Sequence, residues 1–212
     1  MKLDRNALLL YAVTDRSWLG EHTLTWQVER ALEGGATMVQ LREKHLPREE
    51  VRRQALELKA LCARFGAPLI IHDDVELALE VGADGVHLGQ EDLEAGQARR
   101  LLGREMILGV SAHSVQQALA AQAAGADSLG VGAMFPTGTK TDASPLPIPV
   151  LRDICAAVDI PAVAIGGIGP DNLPLLKGAG AAGAAVVSAL FAQPDIARAA
   201  RTLSALAREV FL

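Results

Sequence analysis

Two aspartates, Asp73 and Asp92, each stand just beyond a short apolar run, "PLIIH" and "GVHLG". Carboxylates brought together from neighbouring segments can bridge a divalent cation to a phosphorylated substrate. Mg2+ takes one or two carboxylates and completes its shell with water and phosphate oxygens. The competing role is helix N-capping, at which Asp excels, and it fits Asp74 best. A second constellation is "QLREK", where Gln40, Arg42 and Lys44 alternate along an extended segment and share one face. An amide, a guanidinium and an ammonium on one face suit an anionic ligand. A third is "PTGTK", in which Thr137, Thr139 and Lys140 surround a flexible Gly138 and can cradle a phosphate. It is not a Walker A loop: five residues, not four, separate Gly132 from Gly138, and Lys140 follows a threonine. Ser111 and Ser188 add hydroxyls after the runs "ILGV" and "GAAVV". Gly166 and Gly167 in "IGGIG" permit close backbone approach, although tight turns demand glycine equally. His113 reads as a loop or cap residue. His72, directly before Asp73, is either a participant or only a neighbour of the acids.

These residues gain meaning from the elements that carry them. Short apolar runs recur at 8–14, 38–43, 68–72, 85–89, 106–111, 128–133, 161–166 and 183–188. Their length and flanking Gly and Pro predict strands. Helical patterns at 23–34, 47–65, 74–81, 94–102, 114–124, 148–158, 171–178 and 194–210 fill the intervals. Apolar strands alternating with helices indicate a parallel sheet covered on its outer face. Eight such units in 212 residues predict an α/β fold, a single (β/α)8 (TIM) barrel forming one catalytic domain over 1–212. An internal echo agrees: Gly35-Ala36, Gly82-Ala83, Gly125-Ala126 and Gly180-Ala181 precede every second strand, 47, 43 and 55 residues apart. An open doubly wound sheet is the alternative, but no dinucleotide fingerprint follows the first strand. In a barrel the active site lies at the C-terminal strand ends, where every constellation above falls. Two anion regions result. One is a Mg2+ site at Asp73 and Asp92 with Arg42, Lys44 and Lys140, and the other a phosphate corner after strands 7 and 8. Two phosphorylated small-molecule substrates would explain both.

Composition excludes other classes. Net charge is −5 and no Lys/Arg run exceeds two residues, which argues against nucleic acid or an anionic membrane as partner. No apolar run approaches the roughly 20 residues of a membrane span. The N-terminal apolar run reads as a first strand, not a signal peptide. Cys62 and Cys155 make neither a disulfide framework nor a zinc site. A cytoplasmic protein follows.

The ordered set "YAVTD", "VQLREK", "GADGVHLGQED", "GVSAHS", "GVGAMFPTGTKTDA", "AIGGI" and "VVSAL" resembles the thiamine phosphate synthase family over almost the whole chain. The resemblance implies a transferase joining a hydroxymethylpyrimidine diphosphate to a thiazole phosphate (or its carboxylated form), giving thiamine phosphate and pyrophosphate. It implies that Gln40, Arg42, Lys44 and Lys140 hold the pyrimidine diphosphate, that Ser111 contacts its pyrimidine portion or its diphosphate, and that Asp73 and Asp92 hold Mg2+. Thr137, Thr139, Gly167, Val187 and Ser188 would hold the thiazole phosphate, the last two partly through backbone groups. The chain departs from the family at His72, where the usual residue is Asn. The expectation is that His72 replaces the amide as a hydrogen-bond donor to the diphosphate. A thiazole tautomerase on the same barrel is the alternative, with His113 as acid/base. A Schiff-base aldolase using Lys44 or Lys140, or a non-enzymatic sensor of thiazole phosphate, are more distant ones.

Overall fold

The computed structural model describes residues 3–138 and 145–212. Eight parallel strands close into a barrel in chain order: β1 (Leu10–Val13), β2 (Met38–Leu41), β3 (Leu69–His72), β4 (Gly85–Leu88), β5 (Ile107–Ala112), β6 (Ser128–Val131), β7 (Ala162–Ile165) and β8 (Gly183–Val186). Each falls within one or two residues of its predicted position. The helices are α1 (Leu24–Glu33), α2 (Arg48–Phe65), α3 (Val75–Val81), α4 (Ala95–Leu102), α5 (Val115–Ala123), α6 (Ile148–Ala157), α7 (Ser188–Phe191) and α8 (Ile196–Phe211). No helix among the described residues is long and apolar enough to cross a membrane.

Period-two alternation sorts the strand residues into two cores. Outward-facing Leu10, Val39, Leu41, Leu69, Ile71, Val86, Leu108 and Leu129 pack with the helices' Val28, Leu58, Leu77, Ala118 and Leu203. Inward-facing Tyr11, Val13, Met38, Ile70, Ile107, Val163 and Ala185 form a second cluster inside the barrel. Helix boundaries follow local chemistry. Thr23, Asp74, Ser114 and Asp195 each accept a backbone N–H from the first turn of the helix that follows. The four repeated glycines all have positive φ, from 62° at Gly82 to 102° at Gly35. Gly82 caps α3 directly, and Gly35 and Gly125 lie one residue beyond the caps of α1 and α5.

Two predicted elements differ. The helix expected at 171–178 is only a short 3-10 turn, Leu173–Leu176. Pro174 lies inside it, and Gly178 and Gly180 follow with positive φ. Asn172 spends its side chain on the β7 loop, accepting from the Gly169 amide and donating to the Gly167 carbonyl. β8 ends at Val186 rather than at 188, and Ser188 opens the unpredicted one-turn helix α7.

The barrel wall leaves no room at certain glycines. A Cβ on Gly183 would collide with the Leu8 carbonyl, and backbone cannot yield there as a flexible side chain would. Gly183→Ala is therefore expected to cost about 2 kcal/mol or more. That corresponds to a Tm roughly 4–8 °C lower by calorimetry or circular dichroism.

Candidate active site

The strand ends surround a cavity of about 130 Å3 lined by Tyr11, Gln40, Arg42, His72, His87, Ser111, His113, Thr137, Gly166, Gly167, Val187 and Ser188, among others. An apolar cavity of ~150 Å3 is enough to admit benzene, so this one is on the scale of a single aromatic ring. Next to it, past His72, opens a polar cleft lined by Lys44, Arg48, Asp73 and Asp74. The predicted residues thus divide: Gln40, Arg42, Ser111, Thr137, Gly167, Val187 and Ser188 line the cavity, Lys44 and Asp73 the cleft, and His72 both. Thr139 and Lys140 lie outside the described residues.

The β2 end is held from below and behind. Gln40 is buried and its Nε2 donates to the Tyr11 hydroxyl at 2.8 Å. Burial raises the Tyr11 pKa, and the Gln40 hydrogen bond opposes this only partly, so Tyr11 stays a neutral phenol. Buried Thr14 accepts the Arg42 amide at 2.9 Å. Glu43, its side chain 3% exposed, pairs with Arg16 at 2.6 Å and accepts the Lys44 and His45 amides. Neither Thr14 nor Glu43 was singled out in the sequence, yet both shape the turn that directs Arg42 to the cavity and Lys44 to the cleft.

At the β3 end the three polar residues have separate tasks. Asp74 is a helix cap, as expected: it accepts the Leu77 amide at 2.8 Å and pairs with Arg48 at 2.9 Å. Asp73 has φ 62°, the one non-glycine with positive φ among the described residues. Asp tolerates this region better than most residues, and the turn brings its carboxylate against that of Asp92. Asp92 caps no helix. Its Oδ2 accepts the Gly89 amide at 2.6 Å, while Glu94 caps α4. Lys44 Nζ lies 3.9 Å from Asp73 Oδ2, and His72 Nε2 lies 2.9 Å from the same oxygen. That His72 contact is close but poorly aligned, so both its ring nitrogens lack a well-directed hydrogen bond, as does buried Asp73 Oδ1.

Sequence reasoning missed His87, and it gave His113 a part only in the tautomerase alternative. His87 stands on β4 facing inward, with Nε2 3.0 Å from Ser111 Oγ. His113 is a loop residue, one of the two alternatives expected, with Ser114 as the cap of α5; it also lines the cavity, and its Nδ1 lies 2.6 Å from the Gly132 carbonyl. A carbonyl only accepts, so Nδ1 carries the proton. On the opposite wall, the loop after β6 is clamped to β7: Met134 N donates to the Ile165 carbonyl and Phe135 N to that of Gly166. Gly167, at φ 64°, lies too close to the Phe135 and Pro136 carbonyls to carry a side chain.

Parallel strands closed into a barrel, with carboxylates, cations and hydroxyls gathered at their C-terminal ends, define a (β/α)8-barrel enzyme. Comparisons with known proteins narrow this. The family model described as thiamine monophosphate synthase matches residues 10–190. The chain is 48% identical over 194 residues to the thiamine-phosphate synthase of Ruminiclostridium cellulolyticum, covering 92% of each. It is 50% identical over 198 residues to that of Chloroflexus aurantiacus, covering 93% of this chain and 91% of the relative. The structure of thiamine phosphate pyrophosphorylase from Pyrococcus furiosus superposes with a TM-score of 0.91 at 39% identity, over 98% of this chain and 99% of that one. The chain belongs to the thiamine monophosphate synthase family.

The paired carboxylates titrate together. Burial opposes ionisation of Asp73, but His72, the hydrogen bond with Asp92 and the Lys44 ammonium outweigh it and hold its pKa at about 2. Burial and the Asp73 carboxylate raise that of Asp92, against the Gly89 amide. A depressed pKa stabilises the fold above the ordinary carboxylate range, and that gain is lost as pH falls through about 2. Asp92 acts oppositely: its ionisation costs stability at neutral pH, and the cost vanishes as pH falls through its raised pKa. With chelator present, Asp92→Asn is expected to melt above wild type at pH 7, with the gap closing on acidification. A variant less stable than wild type by the same margin at every pH would contradict this.

Proposed function

We propose that this barrel is a thiamine-phosphate synthase that joins a hydroxymethylpyrimidine diphosphate to a thiazole phosphate (or its carboxylated form), releasing pyrophosphate. Family membership supports the reaction, and no comparison favours the tautomerase. The observation that carries the site assignment is the meeting of Asp73 and Asp92 beside Lys44, at the mouth of a ring-sized cavity lined by Arg42 and Ser111.

In this reading the pyrimidine enters the cavity toward Gln40 and Ser111, and its diphosphate reaches Arg42, Lys44, His72 and, from the loop after β6, Lys140. The C–O bond to the diphosphate breaks with its electron pair leaving on pyrophosphate, and the electron-rich aminopyrimidine spreads the resulting positive charge. The thiazole nitrogen then supplies the pair for the new C–N bond. Its phosphate is held at a distance by Thr137, Thr139, Gly167, Val187 and Ser188, which turns an encounter of two molecules into an oriented attack. Thr14 and Glu43 hold the backbone that carries Arg42 and Lys44, so both cations start from set positions as charge grows on the leaving group. No protein nucleophile is required.

The residues present fit Mg2+. Asp73 Oδ1 is buried without a hydrogen-bond partner, and a second carboxylate touches Asp73. No group of three or more His, Cys, Asp and Glu side chains suited to a metal exists among the described residues. A hard cation held by two carboxylates and completed by substrate oxygens needs none. When bound there, Mg2+ would supply positive charge against the departing pyrophosphate. The partners are then two phosphorylated small molecules, with neither nucleic acid nor membrane, and the chain 1–212 acts as one catalytic domain in the cytoplasm.

His72 is assigned as the hydrogen-bond donor that takes the place of the family's Asn, consistent with its ring nitrogens lacking well-aligned partners on the cavity side of Asp73.

The test is pyrophosphate release with both substrates. It is expected to need both, to cease on chelation, and to return with Mg2+. Release from the pyrimidine diphosphate alone, or ligand binding without release, would overturn the reading. In the same assay His72→Asn should keep the rate within a few-fold, whereas Asp73→Asn should lower it at least about a hundredfold, the scale of losing one electrostatic stabiliser. Equal losses would remove His72 from the role of amide substitute.

A further inference from the structure

His87 is bulky, polar and placed where a barrel interior usually holds aliphatic side chains. β4 pairs His87 with His72 on one side and Gly109 on the other, Gly109 pairs in turn with Ser128, and two residues further along β5 Ser111 pairs with Gly130. The neighbouring strands are carved around the ring. A Cβ on Gly109 would lie 2.5 Å from His87 Nδ1, and one on Gly130 2.9 Å from Cε1. Both glycines have ordinary φ, so space and not backbone conformation demands them. The imidazole is thereby held in one orientation, and Nε2 lies 3.0 Å from Ser111 Oγ. Ser111 is also tied through its carbonyl, which accepts from Gln90 Nε2 at 2.5 Å. Its hydroxyl rotor, otherwise free to choose among staggered positions, meets the His87 ring as its hydrogen-bond partner among the described residues.

We propose that His87 is a positioning residue: its Nε2 fixes the Ser111 hydroxyl in the rotamer and proton orientation that meet the pyrimidine portion of the first substrate. This rests on the assignment of Ser111 to that substrate. The imidazole touches no reacting atom. With Nε2 accepting, Ser111 presents lone pairs to the ligand; with Nε2 donating, Ser111 presents its proton. Either way one hydrogen-bonding sense is chosen before the ligand arrives, which lowers the ordering cost of binding.

Two substitutions separate positioning from packing. Glutamine places an amide near the reach of Nε2, whereas asparagine places one near Nδ1. His87→Asn should lower kcat/KM for the pyrimidine diphosphate about five- to tenfold, the scale of one hydrogen bond, and leave KM for the thiazole phosphate unchanged. His87→Gln should restore most of the loss. In the Ser111→Ala background, His87→Asn should have no further effect on kcat/KM, since the group it orients is gone. Melting temperatures of all four variants give the packing contribution separately. Equal losses for Asn and Gln, or full additivity with Ser111→Ala, would overturn the proposal. Wild-type protein that releases no pyrophosphate would instead overturn the functional reading on which it rests.

Discussion

Two carboxylates in contact are unstable company, and the organisation of this barrel's upper face turns on that fact. The cost of holding Asp73 beside Asp92 is offset locally by the Lys44 ammonium, the His72 ring and the Gly89 amide. The compensation is unequal: Asp73 is held firmly ionised, and Asp92 is pushed toward its protonated form. A site that keeps unrelieved negative charge next to a polar cleft is prepared for cations and for ligands that bring cations with them. Asp73 also accepts an unusual backbone conformation to stand there. Such outliers persist where surrounding structure enforces them, and they concentrate at functional sites.

The rest of the fold serves that arrangement by separating stiffness from chemistry. Outer strand faces and helices share an aliphatic core, and a second apolar cluster sits inside the barrel. The charged residues of the site gather where the strands end, while Gln40, His87 and Ser111 line the cavity from within their strands. Each is braced by a neighbour, at the side chain for Gln40 by Tyr11 and Ser111 by His87, and at the backbone for Arg42 by Thr14 and Lys44 by Glu43, itself paired with Arg16. Rigid elements carrying pre-braced side chains are what electrostatic stabilisation of a leaving group requires.

All eight strands were legible because both faces of a parallel barrel are apolar and their runs are bounded by Gly and Pro. The convergence of Asp73 and Asp92 was legible because one βα unit separates them, and adjacent strands lie only about 4.8 Å apart. The separation of Lys44 from Gln40 and Arg42 was not. Period two holds within β2, but Lys44 lies past its end, where the Glu43 turn redirects the chain. His87 was hidden inside "GVHLG" because one histidine in an apolar run looks like core. Its signal was the pair of glycines, Gly109 and Gly130, on the two following strands, and it emerges only when the barrel brings both against the ring. The failed helix at 171–178 was overruled by Pro174 and by Asn172, whose side chain bonds to the β7 loop.

The central claim is that Asp73 and Asp92 form a half-site for a cation whose other half is the diphosphate. Calorimetric affinity for pyrophosphate, measured with and without Mg2+, tests it most directly. The account predicts that Mg2+ strengthens pyrophosphate binding to the wild-type protein, and that this strengthening disappears in the Asp73→Asn, Asp92→Asn double variant. Pyrophosphate binding that is indifferent to Mg2+ in the wild type, or equally Mg2+-enhanced in the double variant, would contradict it.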